Sequence, residues 1–322
     1  MIDQASIIET HFLSRAFGST RAVEALNLTI SRGEIFGLVG PDGAGKTTTL
    51  RMLAAILDPT AGRATVAGYD TVRQAEAVKA HLGYMSQQFS LYGDLSVLEN
   101  LNFFADIFGV GRRERADRIA RLLDFSRLGE FRRRRAAQLS GGMQKKLGLA
   151  CTLVHQPDIL LLDEPTTGVD PVSRREFWDI LTELHIAGTT IVVSTPYMDE
   201  AERCSRVGLI YHGRLIVCDT PLRIRDKVDG QLLALRPADM QRARAVLTSQ
   251  PGVIEVQTYG DQLQIFVDDA FLRQVEIASR LTDAGIDFEG PWRAQPRVEQ
   301  AFISLIQKWT TQQPTTPSSP QV

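Results

Sequence analysis

Cysteine is scarce in this 322-residue chain: Cys151, Cys204 and Cys218 lie far apart, with no CxxC pair. That spacing argues against a disulfide framework and a zinc site, and predicts free thiols in a reducing compartment. Long apolar runs are missing too. None approaches the roughly 18 residues of a spanning helix, so a membrane role is expected to come through a partner. The first ten residues, MIDQASIIET, lack the basic–apolar–small order of a signal peptide, and no leader is expected. Charge of one sign is also absent. The 36 basic and 38 acidic residues leave −2, which gives no electrostatic case for nucleic acid. One basic run, Arg132–Arg135, reads as a solvated helix end or a contact to an acidic partner. The remaining composition, 43% hydrophobic and 23% charged, is that of a globular protein with a sizeable core. The length suits about two domains.

One stretch organises the rest. Gly40, Pro41, Asp42, Gly43, Ala44, Gly45, Lys46, Thr47 and Thr48 fit G-x-x-x-x-G-K-[ST] without a mismatch. An apolar strand-like run, residues 35–39, precedes it, and a helical pattern, residues 47–57, follows. In that context the glycines let successive N–H groups converge on an anion at a helix N-terminus. Lys46 adds a positive charge for the β- and γ-phosphates of a nucleotide, and the Thr47 hydroxyl can ligate Mg2+.

Further features follow in order. Phe17 sits in Ser14-Arg15-Ala16-Phe17-Gly18. It is either a stacking platform for a purine on a loop or a core aromatic at a strand end. Gln87 lies just beyond a short strand, residues 82–85, where it can meet a ligand or simply belong to a surface loop. Residues 95–138 are helical in pattern, with Leu98, Leu101, Phe104, Ala105 and Phe108 at helical spacing. Ser140-Gly141-Gly142 opens a helix, either as a second anion cradle or as an ordinary cap. The run 159–162 ends in Asp163-Glu164, a buried parallel strand that delivers two carboxylates to a sheet edge. Asp163 suits the shell of Mg2+ and Glu164 suits a water-activating base. A second buried strand, 189–193, ends in Ser194-Thr195-Pro196. Residues 199–204 start a helix, and His212 is most simply a turn residue in a hairpin. From 222 onward the pattern is β-α-β-β-α-β, as in a ferredoxin-like sandwich, with a helix at 298–309. The last residues, 310–322, hold only Thr, Gln, Pro, Ser and Val and are expected to be disordered.

The phosphate loop, the Gln87 loop, Leu139-Ser140-Gly141-Gly142, the Asp163-Glu164 strand and Gly168-Val169-Asp170 occur in one order. Together they resemble the nucleotide-binding subunit of an ABC transporter over roughly residues 5–225. The segment Pro296–Leu305 looks like the tail of exporter ATPases of the daunorubicin-resistance type. The Pro-Asp-Gly-Ala-Gly-Lys variant and Ala150–Val154 resemble exporters that run two ATPase halves in tandem. The resemblance implies an α/β P-loop NTPase of ABC type at 1–225, with an inserted helical subdomain near 95–138. An α+β accessory domain at 226–309 would follow. It implies ATP and Mg2+ as ligands, with Thr47, Gln87 and Asp163 about the metal, the last through water. Phe17 becomes the adenine-stacking aromatic. Gln87 becomes the link to transmembrane permease subunits, which the 95–138 helices would grip at the cytoplasmic face of the membrane. Such domains dimerise head to tail, so the Ser140 loop and Asp170 would serve a partner's nucleotide.

One departure matters. The family usually has histidine where Pro196 stands, and proline offers neither a side-chain donor nor its own N–H. A slowed site on this chain, and a second, different ATPase as partner, are therefore expected. The rival readings are a regulatory subunit that binds ATP but barely hydrolyses it, and a soluble ABC ATPase outside transport.

Overall fold

The computed structural model describes residues 6–88 and 91–312. The chain divides into two compact units, Met1–Thr220 and Pro221–Val322.

The first unit is laid out as β1 (Ser6–Phe17), β2 (Thr20–Ser31), β3 (Ile35–Val39), α1 (Lys46–Leu53), β4 (Ala61–Val66), β5 (Tyr69–Asp70), α2 (Ala75–His81) and β6 (Leu82–Met85). Then come α3 (Val97–Ile107), α4 (Arg112–Phe125), α5 (Gly141–Thr152), β7 (Ile159–Asp163), α6 (Pro171–Ile186), β8 (Thr190–Thr195), α7 (Met198–Ala201), β9 (Arg206–Tyr211) and β10 (Arg214–Asp219). The central sheet has the order β10-β9-β3-β8-β7-β6. Its strands run parallel from β6 through β9, and β10 turns back antiparallel. Every residue of β3, β7 and β8 is buried, which is why these strands read as unbroken aliphatic runs. An antiparallel sheet, β2-β1-β4-β5, packs its own alternate residues into the same core, around Ile8, Leu13, Ile30 and Leu50.

The helices α3, α4 and α5 share a separate core that includes Val97, Leu101, Ile119, Leu123 and Leu147. Ser96 caps α3 in a capping box with Glu99. Residues 95–138 are not helical throughout. Gly109 and Arg127 take left-handed φ of 65° and 57° at the ends of α3 and α4. Short 3-10 turns at Gly129–Phe131 and Ala136–Gln138 then bracket a further turn at residues 132–134 and an isolated bridge of Arg135 to Ser96.

Other boundaries also differ from expectation. Ser14–Phe17 belongs to β1 rather than to a loop, and the turn to β2 falls at residues 18–19. The helix after the phosphate loop stops at Leu53 rather than 57, since Ala55 turns left-handed at φ 54°. α7 covers Met198–Ala201 only.

The second unit contains α8 (Pro221–Arg225), β11 (Gln231–Pro237), α9 (Met240–Thr248), β12 (Val253–Tyr259), β13 (Gln262–Val267), α10 (Ala270–Asp283), β14 (Phe288–Ala294) and α11 (Val298–Gln312). Its sheet, β12-β13-β11-β14, is wholly antiparallel. That β-α-β-β-α-β order and pairing is ferredoxin-like. Leu233, Leu235 and Ile265 pack with Leu247, Ile277 and Leu281 of α9 and α10. α11 continues to Gln312, and the rest of the tail expected to be disordered lies outside the described residues. Among the described residues no helix is long and apolar enough to cross a membrane. Cys151 and Cys204 are buried, Cys218 is half-buried, and all three are free.

Candidate functional site

Three parallel strands deliver the site. β3 ends at Val39, β8 at Thr195 and β7 at Asp163, and in register Val39 faces Thr195 while Asp163 faces Ser194. The loop between β3 and α1 therefore opens beside two carboxylates at the carboxyl edge of the sheet, where open α/β sheets bind ligands.

The loop is fixed by close approach. A Cβ on Gly40 would lie 2.2 Å from the Ile210 carbonyl oxygen. At Gly45, φ is 106° and a Cβ would lie 2.3 Å from the Ala22 oxygen, so only glycine fits. Gly45 leads directly into α1, whose first N–H groups have no intrahelical acceptor. Pro41, Asp42, Gly43 and Ala44 complete the turn, with Asp42 largely exposed, and Thr48 lies in the first turn of α1.

Lys46 is 3% exposed. Its Nζ donates to the carbonyls of Gly40 at 2.9 Å and Pro41 at 3.0 Å, and lies 3.2 Å from Glu164 Oε1. Thr47 Oγ1 donates to Asp163 Oδ1 at 3.0 Å, and Ser194 Oγ donates to the same oxygen at 2.6 Å. The Thr47 hydroxyl and the Asp163 carboxylate thus converge as oxygen donors only, a set that fits a small hard cation such as Mg2+. Tyr84 OH points at Asp163 Oδ2 from 3.5 Å, and burial, helped by that carboxylate, raises its pKa.

Gln87 turns elsewhere. Its Nε2 donates to Glu164 Oε2 at 2.8 Å, so the structure brings it to the second carboxylate and not to the Thr47–Asp163 pair. Glu164 itself is buried, and its N–H donates to the Ser194 carbonyl and hydroxyl, both at 3.1 Å.

Sequence reasoning missed three side chains. Ser194 ties the Asp163 carboxylate and the Glu164 backbone N–H to β8. Lys145 on α5 donates from Nζ to the Gln87 carbonyl at 2.8 Å, and burial lowers its pKa, partly countered by Asp163 and Glu164. Glu200, 1% exposed, accepts from Thr195 Oγ1 at 2.6 Å and Thr166 Oγ1 at 2.5 Å. Arg174 lies 3.9 Å from Glu200 and stacks on Tyr197 at 4.3 Å. The polar Ser194-Thr195 pair ending an aliphatic run was the available signal for the first and third. Nothing in the sequence signals Lys145.

Other candidates lie apart from this group. Ser140 caps α5 by accepting from Met143 N at 3.3 Å. Asp170 caps α6, accepting from Val172 and Ser173, and the Ser173 N–H above all holds its pKa down. A Cβ on Gly142 would meet Ser173 Cβ at 2.5 Å, so the Ser140-Gly141-Gly142 turn abuts the start of α6. Phe17 is 49% exposed at the end of β1, with the Arg15 guanidinium 4.6 Å over its ring, which excludes the core alternative. Pro196 is half-buried just past β8. His185 on α6 and His212 in the β9–β10 turn make no hydrogen bond to the carboxylates among the described residues.

The geometry now has a wider frame. A family model for ABC transporters matches residues 23–167. The daunorubicin/doxorubicin resistance ATP-binding protein DrrA of Streptomyces peucetius is 39% identical over 304 residues, 92% of this chain and 92% of that protein. The chain belongs to the ABC transporter ATP-binding proteins. A probable multidrug ABC transporter ATP-binding protein of Escherichia coli (strain K12), YbhF, is 44% identical over 292 residues. That match covers 88% of this cassette protein but 49% of the relative, so the chain spans about half the length of that protein. Among solved structures, a dimeric post-hydrolysis ATP-binding cassette bound to ADP and Pi is similar, with a TM-score of 0.61 and 26% identity. The match covers 66% of this chain and 98% of that one. The α/β P-loop fold of an ABC cassette is thus shared, helical block included.

Proposed function

We propose that this cassette protein binds and hydrolyses ATP as one subunit of an exporter, driving separate membrane subunits from the cytoplasmic face. The observation that carries the reading is the convergence of Lys46, Thr47, Asp163, Glu164 and Gln87 at the carboxyl edge of β3, β7 and β8. Export is supported by relatives named for multidrug transport and for daunorubicin resistance.

The residues divide the work by chemistry. The N–H groups of the Gly40–Thr48 loop and the first turn of α1 take the phosphates. Lys46, dry and already turned inward, stabilises charge on the γ-phosphate. Thr47 and Asp163 would hold Mg2+, which neutralises charge across the β- and γ-phosphates when bound. Glu164 accepts a proton from the attacking water, and Gln87 fixes that carboxylate's orientation. Exposed Phe17 offers its ring to adenine. The Ser140-Gly141-Gly142 helix start and Asp170, neither of which bonds to the phosphate loop among the described residues, are assigned to the nucleotide of a second ATPase chain in a head-to-tail pair. Pro196, where the family usually carries histidine, leaves the chain's own site without one γ-phosphate contact. A heterodimer in which the Ser140 loop completes a faster site on the partner follows from that asymmetry.

ATP turnover by the purified full chain, alone and with its candidate partner ATPase, tests this. Weak activity alone, raised by the partner and reduced by Glu164→Gln, is expected. Vigorous ATPase from the lone chain, indifferent to Glu164→Gln, would sink the reading.

A further inference from the structure

The charge of this chain is segregated. Residues 112–135 hold ten arginines, four acids and no lysine. That stretch carries +6, so in a protein of net −2 the rest carries −8. The segregation survives folding. Arg112 and Arg113 begin α4, and Arg132–Arg135 form an exposed turn beside α3. The Arg132 carbonyl accepts from Leu98 N at 2.9 Å, and that of Arg134 from Val97 N at 3.0 Å, which fixes the run against the first turn of α3.

Between α3 and α4 lies a cavity of about 370 Å³. Leu98, Ile119 and Leu123 give it an apolar floor, and Arg112, Arg115 and Arg132 stand on its walls. Arg115 is committed, pairing with Asp106 at 2.5 Å and donating to the Val110 carbonyl at 3.1 Å. The guanidinium groups of Arg112, Arg113, Arg132 and Arg133 make no hydrogen bond or ion pair among the described residues.

We infer that this face binds the anionic headgroups of a phospholipid bilayer. Guanidinium groups match phosphate oxygens in pairs, which suits a surface whose cations are all arginine. The unpaired cations spread over α4 and the turn at residues 132–135 rather than closing into one cup, which suits a plane of many phosphates whose attractions add. The apolar floor beneath Arg112 and Arg132 accepts the glycerol and upper acyl carbons of one lipid, a use that a soluble phosphate does not have. The inference goes beyond the ATPase reading and rests on it only in bringing the chain near a bilayer.

The test is flotation of the nucleotide-free full chain with vesicles of phosphatidylcholine alone, or mixed with phosphatidylglycerol, at low and high salt. Binding to the mixed vesicles only, released by salt, is expected. The Arg112→Glu/Arg132→Glu/Arg133→Glu variant should lose at least about tenfold in partitioning, and the matching triple lysine variant should keep most of it. Melting temperature and ATP affinity report that the variants fold. If the triple glutamate variant melts early, Arg113→Glu/Arg133→Glu, both exposed and off the cavity wall, should show the same loss. Equal binding to neutral vesicles, or full binding by the folded glutamate variants, overturns the inference. So does displacement of vesicles by millimolar glycerol 3-phosphate, which would assign the face to a soluble anion. Tighter capture of polyglutamate than of vesicles would assign it to an acidic protein. ATP is absent from the flotation itself, so either reading can fail without the other.

Discussion

Pro196→His is the substitution on which the asymmetric reading depends. Residue 196 follows Thr195, which pairs with Val39 in register. The Gly40 N–H reaches the Thr195 carbonyl at 3.4 Å. On its other side β8 holds the Asp163 carboxylate and the Glu164 backbone N–H through Ser194. Residue 196 therefore follows directly on the strand end that lies beside Gly40, where the phosphate loop begins. One aligned transition-state donor contributes about 10²–10³ in rate, which is about 2.7–4 kcal/mol. An engineered imidazole that lacks its usual supports should recover part of this, a gain of at least about tenfold in kcat. Loss of the proline ring should cost about 0.4–1 kcal/mol through the unfolded chain, a small fall in Tm. The assay is single-turnover hydrolysis by the full chain, with ATP affinity measured alongside. The gain should vanish in the Pro196→His/Glu164→Gln double variant, because the donor helps only where water is activated. An unchanged rate with ATP affinity and fold intact would refute the reasoning, since residue 196 would then lie outside the reacting geometry.

The other expectations concern the buried polar group. Lys46→Met should abolish ATP binding by equilibrium titration. By leaving Glu164 buried without its cation, it should also lower stability by about 3–5 kcal/mol in denaturant unfolding. Ser194→Ala removes one donor to Asp163 and one acceptor for the Glu164 N–H, and should cost about 1–3 kcal/mol of stability, read the same way. Lys145→Met frees the Gln87 carbonyl, so it should lower kcat while changing ATP affinity little, a split that steady-state and binding assays separate. Gly142→Ala should lower Tm through its clash with Ser173, and Ser173→Gly added to it should restore much of the loss.

The fold was legible where burial writes a simple pattern. β3, β7 and β8 read correctly because strands covered on both faces are continuously aliphatic. The helical block was over-read because amphipathic spacing records which face is buried but not where the chain breaks. Gly109 and Arg127 end helices by backbone conformation, and an arginine in a left-handed turn gives no compositional sign. Phe17 was ambiguous for a related reason. β1 and β2 slip register between Leu13 and Arg15 and again between Arg15 and Ala16. Each bulge reverses the inside–outside alternation, so periodicity assigns the ring to the wrong face. Lys145 was out of reach altogether, because its partner is a backbone carbonyl 58 positions away.

The adjacent carboxylates show what sequence patterns omit. Consecutive residues of a strand point to opposite faces, so Asp163 and Glu164 in regular β structure would not share a site. The chain avoids this by ending β7 at Asp163 and turning Glu164 to φ 46°. A non-glycine residue there is strained by about 1–3 kcal/mol. Two bonds from the Glu164 N–H to Ser194 and the ion pair with Lys46 offset that strain. Asp163 can then face Thr47 while Glu164 faces Lys46 and Gln87. The pair of acids was visible in the sequence, but their joint use of one site depends on Ser194, a residue 31 positions from Asp163 on the neighbouring strand. The backbone turn at Glu164 and the hydroxyl of Ser194 are therefore one device, and the stability of the first should track the presence of the second.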